Sequence, residues 1–239
     1  MAPTMLSPRD DFQMVQFNSL DIMLMGKLET GKKNSAPTYL FFHQYIGGLT
    51  GDLQWPATDV IEIYYGATQT LANGPYLPYQ ASGFCATLAN STGVTWVSGG
   101  QGYILAHLMF LDSAMDWAQR ADLPEGKHSH GCGMIKNDME LMVAGGFDEN
   151  GAATITVAIY NVASNAWRAA AAAPVLNMTF VSYDQALVGF GPSGNEVYRY
   201  NDTDDMWEPM EGVSNPGMPL GTALIDIDQN DYGCHPEEA

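Results

Sequence analysis

The chain has 239 residues, 46% of them hydrophobic, with 25 Gly and 11% aromatic residues; that is enough apolar material for a substantial core, and all-β folds of this size are commonly one domain. Its formal net charge is −18 with only nine Lys and Arg. This argues against nucleic acid, whose phosphates need cations to displace counterions, and against an anionic membrane surface; no apolar run approaches the roughly 18 residues of a membrane-spanning helix, so a soluble chain is expected.

Residues 1–11 read as a tail. The opening MAPTMLSPRDDFQMV has no basic start followed by an apolar stretch, so it is not a secretory signal: either the protein is not exported or the numbered chain is a mature form. A first unit follows over residues 12–77. DIMLMGK closes on Gly26, and DVIEIYYGATQTL sets Tyr64 seven residues before Leu71. Between them TGKKNSAPTYLFFHQYIGGLTGDLQWPAT reads as a loop insertion that could hold an extra hairpin. Its Tyr39, Phe41, Phe42, Tyr45 and Trp55 suit a binding hot spot and equally suit a cap on the first unit.

The second unit spans 83–124. GVTWVSGG ends on Gly99 and Gly100, ILAHLMFLD alternates, and Leu111 precedes Trp117 by six residues. Strands are expected at 85–88, 95–98, 105–111 and 117–119. The third unit spans 129–174. MELMVAGG ends on Gly145 and Gly146, ITVAIYN alternates, and Tyr160 precedes Trp167 by seven. Strands are expected at 130–135, 140–144, 155–160 and 166–169. RAAAAAP at 168–174 favours helix by propensity, but five alanines cannot nucleate one, so the repeat register predicts a strand end and a loop. The fourth unit spans 179–210, with Gly189 and Gly191 in ALVGFG, the segment EVYRYND, and Tyr200 seven residues before Trp207. PLGTALIDID at 219–228 reads as one more opening strand, and 229–239 as a C-terminal tail.

The Trp-to-Trp intervals are 50 and 40 residues, a period that marks radial repetition of small sheets. A four-stranded sheet of short strands cannot bury both faces alone; packing such sheets face to face does so and leaves short edges. Glycine serves the sharp turn after the second strand, and Tyr and Trp supply rigid area between neighbours with polar tips for loop partners.

An apolar strand, Gly-Gly, an alternating strand with Tyr, a short turn and Trp together resemble kelch repeats, and HSHGCGMI resembles the opening strand of that repeat. The resemblance covers residues 12–228. It implies an all-β, kelch-type β-propeller of about four blades, each of four antiparallel strands, plus the extra strand at 219–228; an incomplete or five-bladed ring is the alternative. The departures are the single Gly26, Leu71 in a tryptophan position, and Gly-Phe-Gly in place of the pair.

KHSHGC holds His128, His130 and Cys132. Zinc needs four ligands from more than one element and no second cluster appears, so no metal is assigned. Cys85 and Cys132 are read as the same position of successive repeats, as small buried residues, with a disulfide between adjacent blades left open; the third cysteine, Cys234, leaves one thiol unpaired. DIDQND offers Asp226, Asp228 and Asn230 but has Asp231 where a calcium loop needs glycine. Sequons occur at Asn90, Asn177 and Asn201, all in expected loops or turns, so glycosylation is feasible in an exported chain. No nucleophile elbow, phosphate loop, HExxH or dinucleotide fingerprint appears. Some kelch-containing oxidases bind copper through histidine and tyrosine, but the five histidines here (43, 107, 128, 130, 235) do not make that pattern.

The expected function is therefore a non-catalytic interaction module or scaffold that presents propeller loops to a protein partner, with no cofactor, no nucleic acid and no membrane insertion. An enzyme acting on a carbohydrate or small molecule at the propeller mouth is one alternative; a self-associating structural component is another. Low lysine content, acidity and usable sequons favour an extracellular setting over a cytoplasmic one.

Overall fold

In the computed structural model the described residues are the strands at 13–16, 21–25 and 45–49, for which the backbone is described, residue 68, and residues 57–65, 70–101, 106–112, 114–183, 185–193 and 196–212. All regular elements among them are β-strands. The 219–228 segment and both expected tails lie outside this set.

Four antiparallel sheets follow one another along the chain. The first contains β1 (Gln13–Gln16), β2 (Asp21–Met25), β4 (Ala57–Tyr65) and β5 (Thr70–Asn73), with β3 (Tyr45–Leu49) paired to the N-terminal part of β4. Among the described residues the long connection between β2 and β4 contributes β3, which pairs antiparallel with the following strand β4. The second sheet is β6 (Cys85–Ala89), β7 (Val94–Ser98), β8 (Leu108–Leu111) and β9 (Trp117–Gln119). A short ribbon of β10 (Lys127–His128) and β13 (Phe147–Asp148) sits beside the third, which is β11 (Gly131–Ile135), β12 (Glu140–Ala144), β14 (Val157–Asn161) and β15 (Ala166–Ala170). The fourth is β16 (Thr179–Tyr183), β17 (Ala186–Phe190), β18 (Val197–Asn201) and β19 (Met206–Pro209).

The register repeats. Tyr64 pairs with Leu71, Leu111 with Trp117, Tyr160 with Trp167, and Tyr200 with Trp207. A further bond recurs six residues after Leu71, Trp117 and Trp167. Leu77, Leu123 and Ala173 each donate N–H to a carbonyl at the start of the third strand, those of Asp59, Ala106 and Ile155, at 2.7, 2.7 and 2.8 Å. The alanine run behaves as the register requires: β15 ends at Ala170 and 171–174 is loop.

The first strands run side by side, β1 next to β6, β6 next to β11, and β11 next to β16. The sheets are therefore stacked in series, and no closed ring is seen among the described residues. Each seam has its own core. Ile61, Ile63, Phe84, Val97 and Leu111 fill the first; Cys85, Trp96, Leu108, Leu141 and Tyr160 the second; Ile135, Met142, Ile159, Leu187 and Tyr200 the third. In β12, Leu141 and Val143 face one seam while Met142 and Ala144 face the other. Both faces of such a strand are covered, which is why ELMVA reads as a continuous apolar run instead of an alternating one. Full burial of a Leu or Ile side chain contributes about 1.5–3 kcal/mol, so the apolar seams supply most of the cohesion.

Polar bonds set how the sheets register. Asn165 and Asp205 stand two residues before their tryptophans, both with left-handed backbone (φ 52° and 50°). The Asn165 Oδ1 accepts from Tyr160 Oη at 2.7 Å and from the Ala121 N–H of the preceding sheet's tail at 2.9 Å. Trp167 Nε1 donates to the Ala121 carbonyl at 2.8 Å. The next seam repeats this: Asp205 accepts from Tyr200 Oη at 2.6 Å and from Ala171 N–H at 2.9 Å, and Trp207 Nε1 donates to the Ala171 carbonyl at 3.0 Å. Trp117 packs into the corresponding first seam, but Leu111 and Met115 replace the hydroxyl and the acceptor, and its buried indole N–H has no partner.

Cys85 and Cys132 form a disulfide across the second seam. They are not equivalent positions, contrary to the sequence reading. Cys85 pairs with Ser98, immediately before a glycine pair, whereas Cys132 pairs with Val143, one residue further from its pair. The one-residue offset puts the two side chains on opposite faces of their own sheets. Facing sheets present opposite faces to each other, so only such an offset pair can bridge. The approach of the fourth sheet has a different basis: a Cβ on Gly131 would overlap the Phe180 ring.

Closing the 47-residue separation restricts the unfolded chain, and the loop-entropy relation gives roughly 4 kcal/mol. Replacing both Cys85 and Cys132 by Ser is expected to lower stability by about that amount in urea titration. Trp167→Phe is expected to cost about 1 kcal/mol more than Trp117→Phe, because only the former leaves a carbonyl without its donor; equal costs would remove the seam bond from the account.

Candidate binding face

The connections between second and third strands of the sheets leave from one end of the stack. They are 26–56, which contains β3, then 99–107, 145–156 and 191–196. In the two middle sheets they begin with the glycine pairs. Gly99, Gly100, Gly145 and Gly146 have φ of 64°, 119°, 64° and 83°, backbone that other residues seldom adopt. Space is also short: a Cβ on Gly146 would lie 2.5 Å from the His128 carbonyl oxygen. In the fourth sheet Gly191 alone follows β17, with Pro192 in the second place, and Gly189 lies inside the strand.

The glycine turns pack around a polar cluster at the second seam. Lys127, although only 2% exposed, donates from Nζ to Thr156 Oγ1 at 2.8 Å and the Thr156 carbonyl at 3.3 Å, with Glu125 Oε2 at 3.5 Å. Thr156 Oγ1 in turn donates to Glu125 Oε2. Burial lowers the Lys127 ammonium pKa, and Glu125 only partly offsets this. His130 is buried too. Its Nε2 is 2.8 Å from Ser98 Oγ, and its Nδ1 has no partner. Burial, then the charges of Lys127 and His128, lowers its pKa to about 3, so the imidazole is neutral, and its tautomer decides whether Nε2 or the Ser98 hydroxyl donates in this bond.

Above this floor the surface is mixed. The His128 ring stacks on Phe147 at 5.4 Å, and Gln101 Nε2 approaches His128 Nδ1 at 3.3 Å. Asp148 organises the turn beyond, accepting from the N–H groups of Asn150 and Ala152 at 2.9 and 2.8 Å. Gln101, Glu125, Glu149 and Asn150 are exposed. The Ser98–His130 pair is not a nucleophile dyad: Ser98 is 1% exposed and no carboxylate orients the ring.

The opposite end carries the tight hairpins. Lys136, Asn137 and Asp138 are left-handed in succession (φ 53°, 52°, 65°). Glu140 accepts from Lys136 at 3.1 Å and Arg168 at 3.2 Å. Burial alone would raise its pKa; the two cations outweigh that and hold it low. An open groove of about 370 Å3 lies here between the third and fourth sheets, lined by Lys136, Asn137, Arg199, Asp202 and Glu208 among others.

The sequence-derived candidates are scattered. Tyr39, Phe41, Phe42 and Trp55 lie outside the described residues, as do Asp226, Asp228, Asn230, Asp231 and Cys234; Tyr45 opens β3. His128 and His130 diverge, one to Phe147 and one to Ser98, and among the described residues no three His, Cys, Asp or Glu side chains form a group able to hold a metal. The repeat residues Trp117, Trp167 and Trp207 occupy successive seams. Sequence reasoning missed Asn165 and Asp205, although an Asn or Asp two residues before Trp was there to be seen. It also missed Lys127, which carried no signal beyond its charge.

The His130 environment has a pH consequence. The folded state holds this group's pKa near 3 against an ordinary 6.5, so between those values the unfolded chain binds the extra proton. The stability it confers is complete above pH 6.5 and is lost as pH falls, by at most about 1.4 kcal/mol per unit. His130→Asn is expected to flatten the decline in unfolding free energy between pH 6.5 and 4.5 relative to wild type; an unchanged slope would show that His130 does not govern it. No family model matches the chain, and no curated protein matches it in sequence.

Proposed function

We propose that the chain is a non-catalytic binding module of kelch-like β-propeller type, a rigid stack whose connections at the glycine-turn end contact a protein partner. One observation carries this reading: a repeated frame holds connections that do not repeat. Cross-strand pairing recurs in all four sheets and the Leu77, Leu123 and Ala173 bond in three. The loops at one end meanwhile range from 191–196 to the aromatic insertion 26–56. Recognition commonly resides in variable loops held by a rigid scaffold. The propeller reading is supported by the parallel series of first strands and by three matching seams. The aromatic residues Tyr39, Phe41, Phe42, Tyr45 and Trp55 then supply the apolar centre of the contact, and Gln101, Glu149 and Asn150 part of its polar rim.

The test compares the two ends of the stack. Changing Gln101, Glu149 and Asn150 together to Ala is expected to leave the melting temperature within a few degrees, since surface changes stay within about 0.5 kcal/mol each. It is also expected to weaken capture of the partner that wild type retains from its native source. Met139→Ser at the hairpin end is expected to leave capture unchanged. Equal retention by all three proteins would overturn the assignment of the glycine-turn end.

A further inference from the structure

We propose that Asn90 and Asn177 are sites of N-linked glycosylation and that Asn201, the third sequon, is not. Two independent observations meet here. The disulfide between Cys85 and Cys132 belongs to a chain that folds in an oxidising compartment, where N-linked transfer also takes place. The three sequons, Asn90-Ser91-Thr92, Asn177-Met178-Thr179 and Asn201-Asp202-Thr203, then differ in what their amides do in the folded protein.

Asn90 is exposed at the start of the turn between β6 and β7. That turn is held by backbone groups: Thr92 and Gly93 N–H donate to the Ala89 carbonyl at 3.2 and 2.8 Å, and Ser91 N–H to Asp138 at 2.6 Å. The Asn90 side chain takes no part. Asn177 is exposed two residues before β16, left-handed at φ 58°, where Gly83 and Ser129 stand before β6 and β11 with φ of 60° and 52°. Its side chain is likewise unused. Asn201 is different. Its Nδ2 donates to Asp204 Oδ2 at 3.1 Å and Glu208 Oε1 at 2.7 Å, while its Oδ1 accepts from Thr203 and Asp204 N–H at 3.0 and 3.3 Å. A sugar on Nδ2 would remove a donor and occupy the place of the Glu208 carboxylate, so the β18–β19 turn could not close.

The co-reactant is an oligosaccharide carried on a polyprenyl pyrophosphate. The Asn Nδ2 forms a bond to the anomeric carbon as that carbon's bond to the pyrophosphate oxygen breaks. Polyprenyl pyrophosphate leaves, Nδ2 gives up one proton, and nothing is oxidised or reduced.

The test does not depend on the binding reading, because occupancy is measured without a partner. The full chain is isolated from its native cells with thiols blocked, digested, and treated with a glycan-releasing amidase in heavy-oxygen water, which marks each released site as labelled Asp. Label at Asn90 and Asn177, none at Asn201, and a linked Cys85–Cys132 peptide are expected. Thr92→Ala and Thr179→Val, expressed in the same cells, are each expected to remove one glycan while leaving the other. Absence of label from Asn90 or Asn177, or its presence at Asn201 in the folded protein, would overturn the proposal.

Discussion

The third and fourth sheets are each held to their predecessor by a bond that reaches over the seam at its edge. An aromatic N–H and an Asx oxygen on one sheet take the carbonyl and N–H of a single alanine on the sheet before: Ala121 for Trp167 and Asn165, Ala171 for Trp207 and Asp205. The apolar cores are larger in energy but not directional, since burial is roughly proportional to area and tolerates sliding. A two-point hydrogen bond to one residue does not tolerate it. The tyrosine hydroxyl adds a third contact to the same Asx oxygen and fixes the left-handed turn that aims it.

The three seams are unequal. The first has the shape but not the polar bond, with Leu111, Met115 and an unsatisfied Trp117. The second has the bond, a disulfide and a buried lysine and histidine. The third has the bond and a close backbone approach at Gly131. Buried polar groups are costly unless paired, and the second seam pairs part of its own, Lys127 through Thr156 and Glu125 and His130 Nε2 through Ser98, while the Trp96 indole N–H and His130 Nδ1 have no partner. Its disulfide and buried polar bonds lie beneath the connection 145–156, which holds β13.

Much of this fold was legible because its signals are local. Glycine pairs announce their turns, and alternation announced β14, expected at 155–160 and observed at Val157–Asn161, and the segment EVYRYND that contains β18. The strand expected at 105–111 is shorter, Leu108–Leu111; the Ala106 and His107 carbonyls before it accept instead from Leu123 and Gly99 N–H. What was not legible depends on distance. The partners of Asn165 and Asp205 lie 44 and 34 residues away, and nothing local distinguishes such a residue from an ordinary turn former. The cysteine offset was misread for a related reason: aligning repeats by eye ignores which face of a strand each residue takes, and one residue reverses the face. The buried floor beneath the glycine turns, with Lys127 and His130, was not legible, because its partners Thr156 and Ser98 lie 29 and 32 residues away.

The direction of the alanine bond bears on how such a chain lengthens. Each segment between successive tryptophans contains both halves of the connector: an indole that reaches back, and, four residues later, the alanine that will receive the next indole. Copying one such segment in tandem therefore reproduces a complete joint at either end, with no new surface to invent. A chain built this way can gain or lose members by unequal recombination, and the connections at the glycine-turn end are then free to diverge because none of them takes part in the joint.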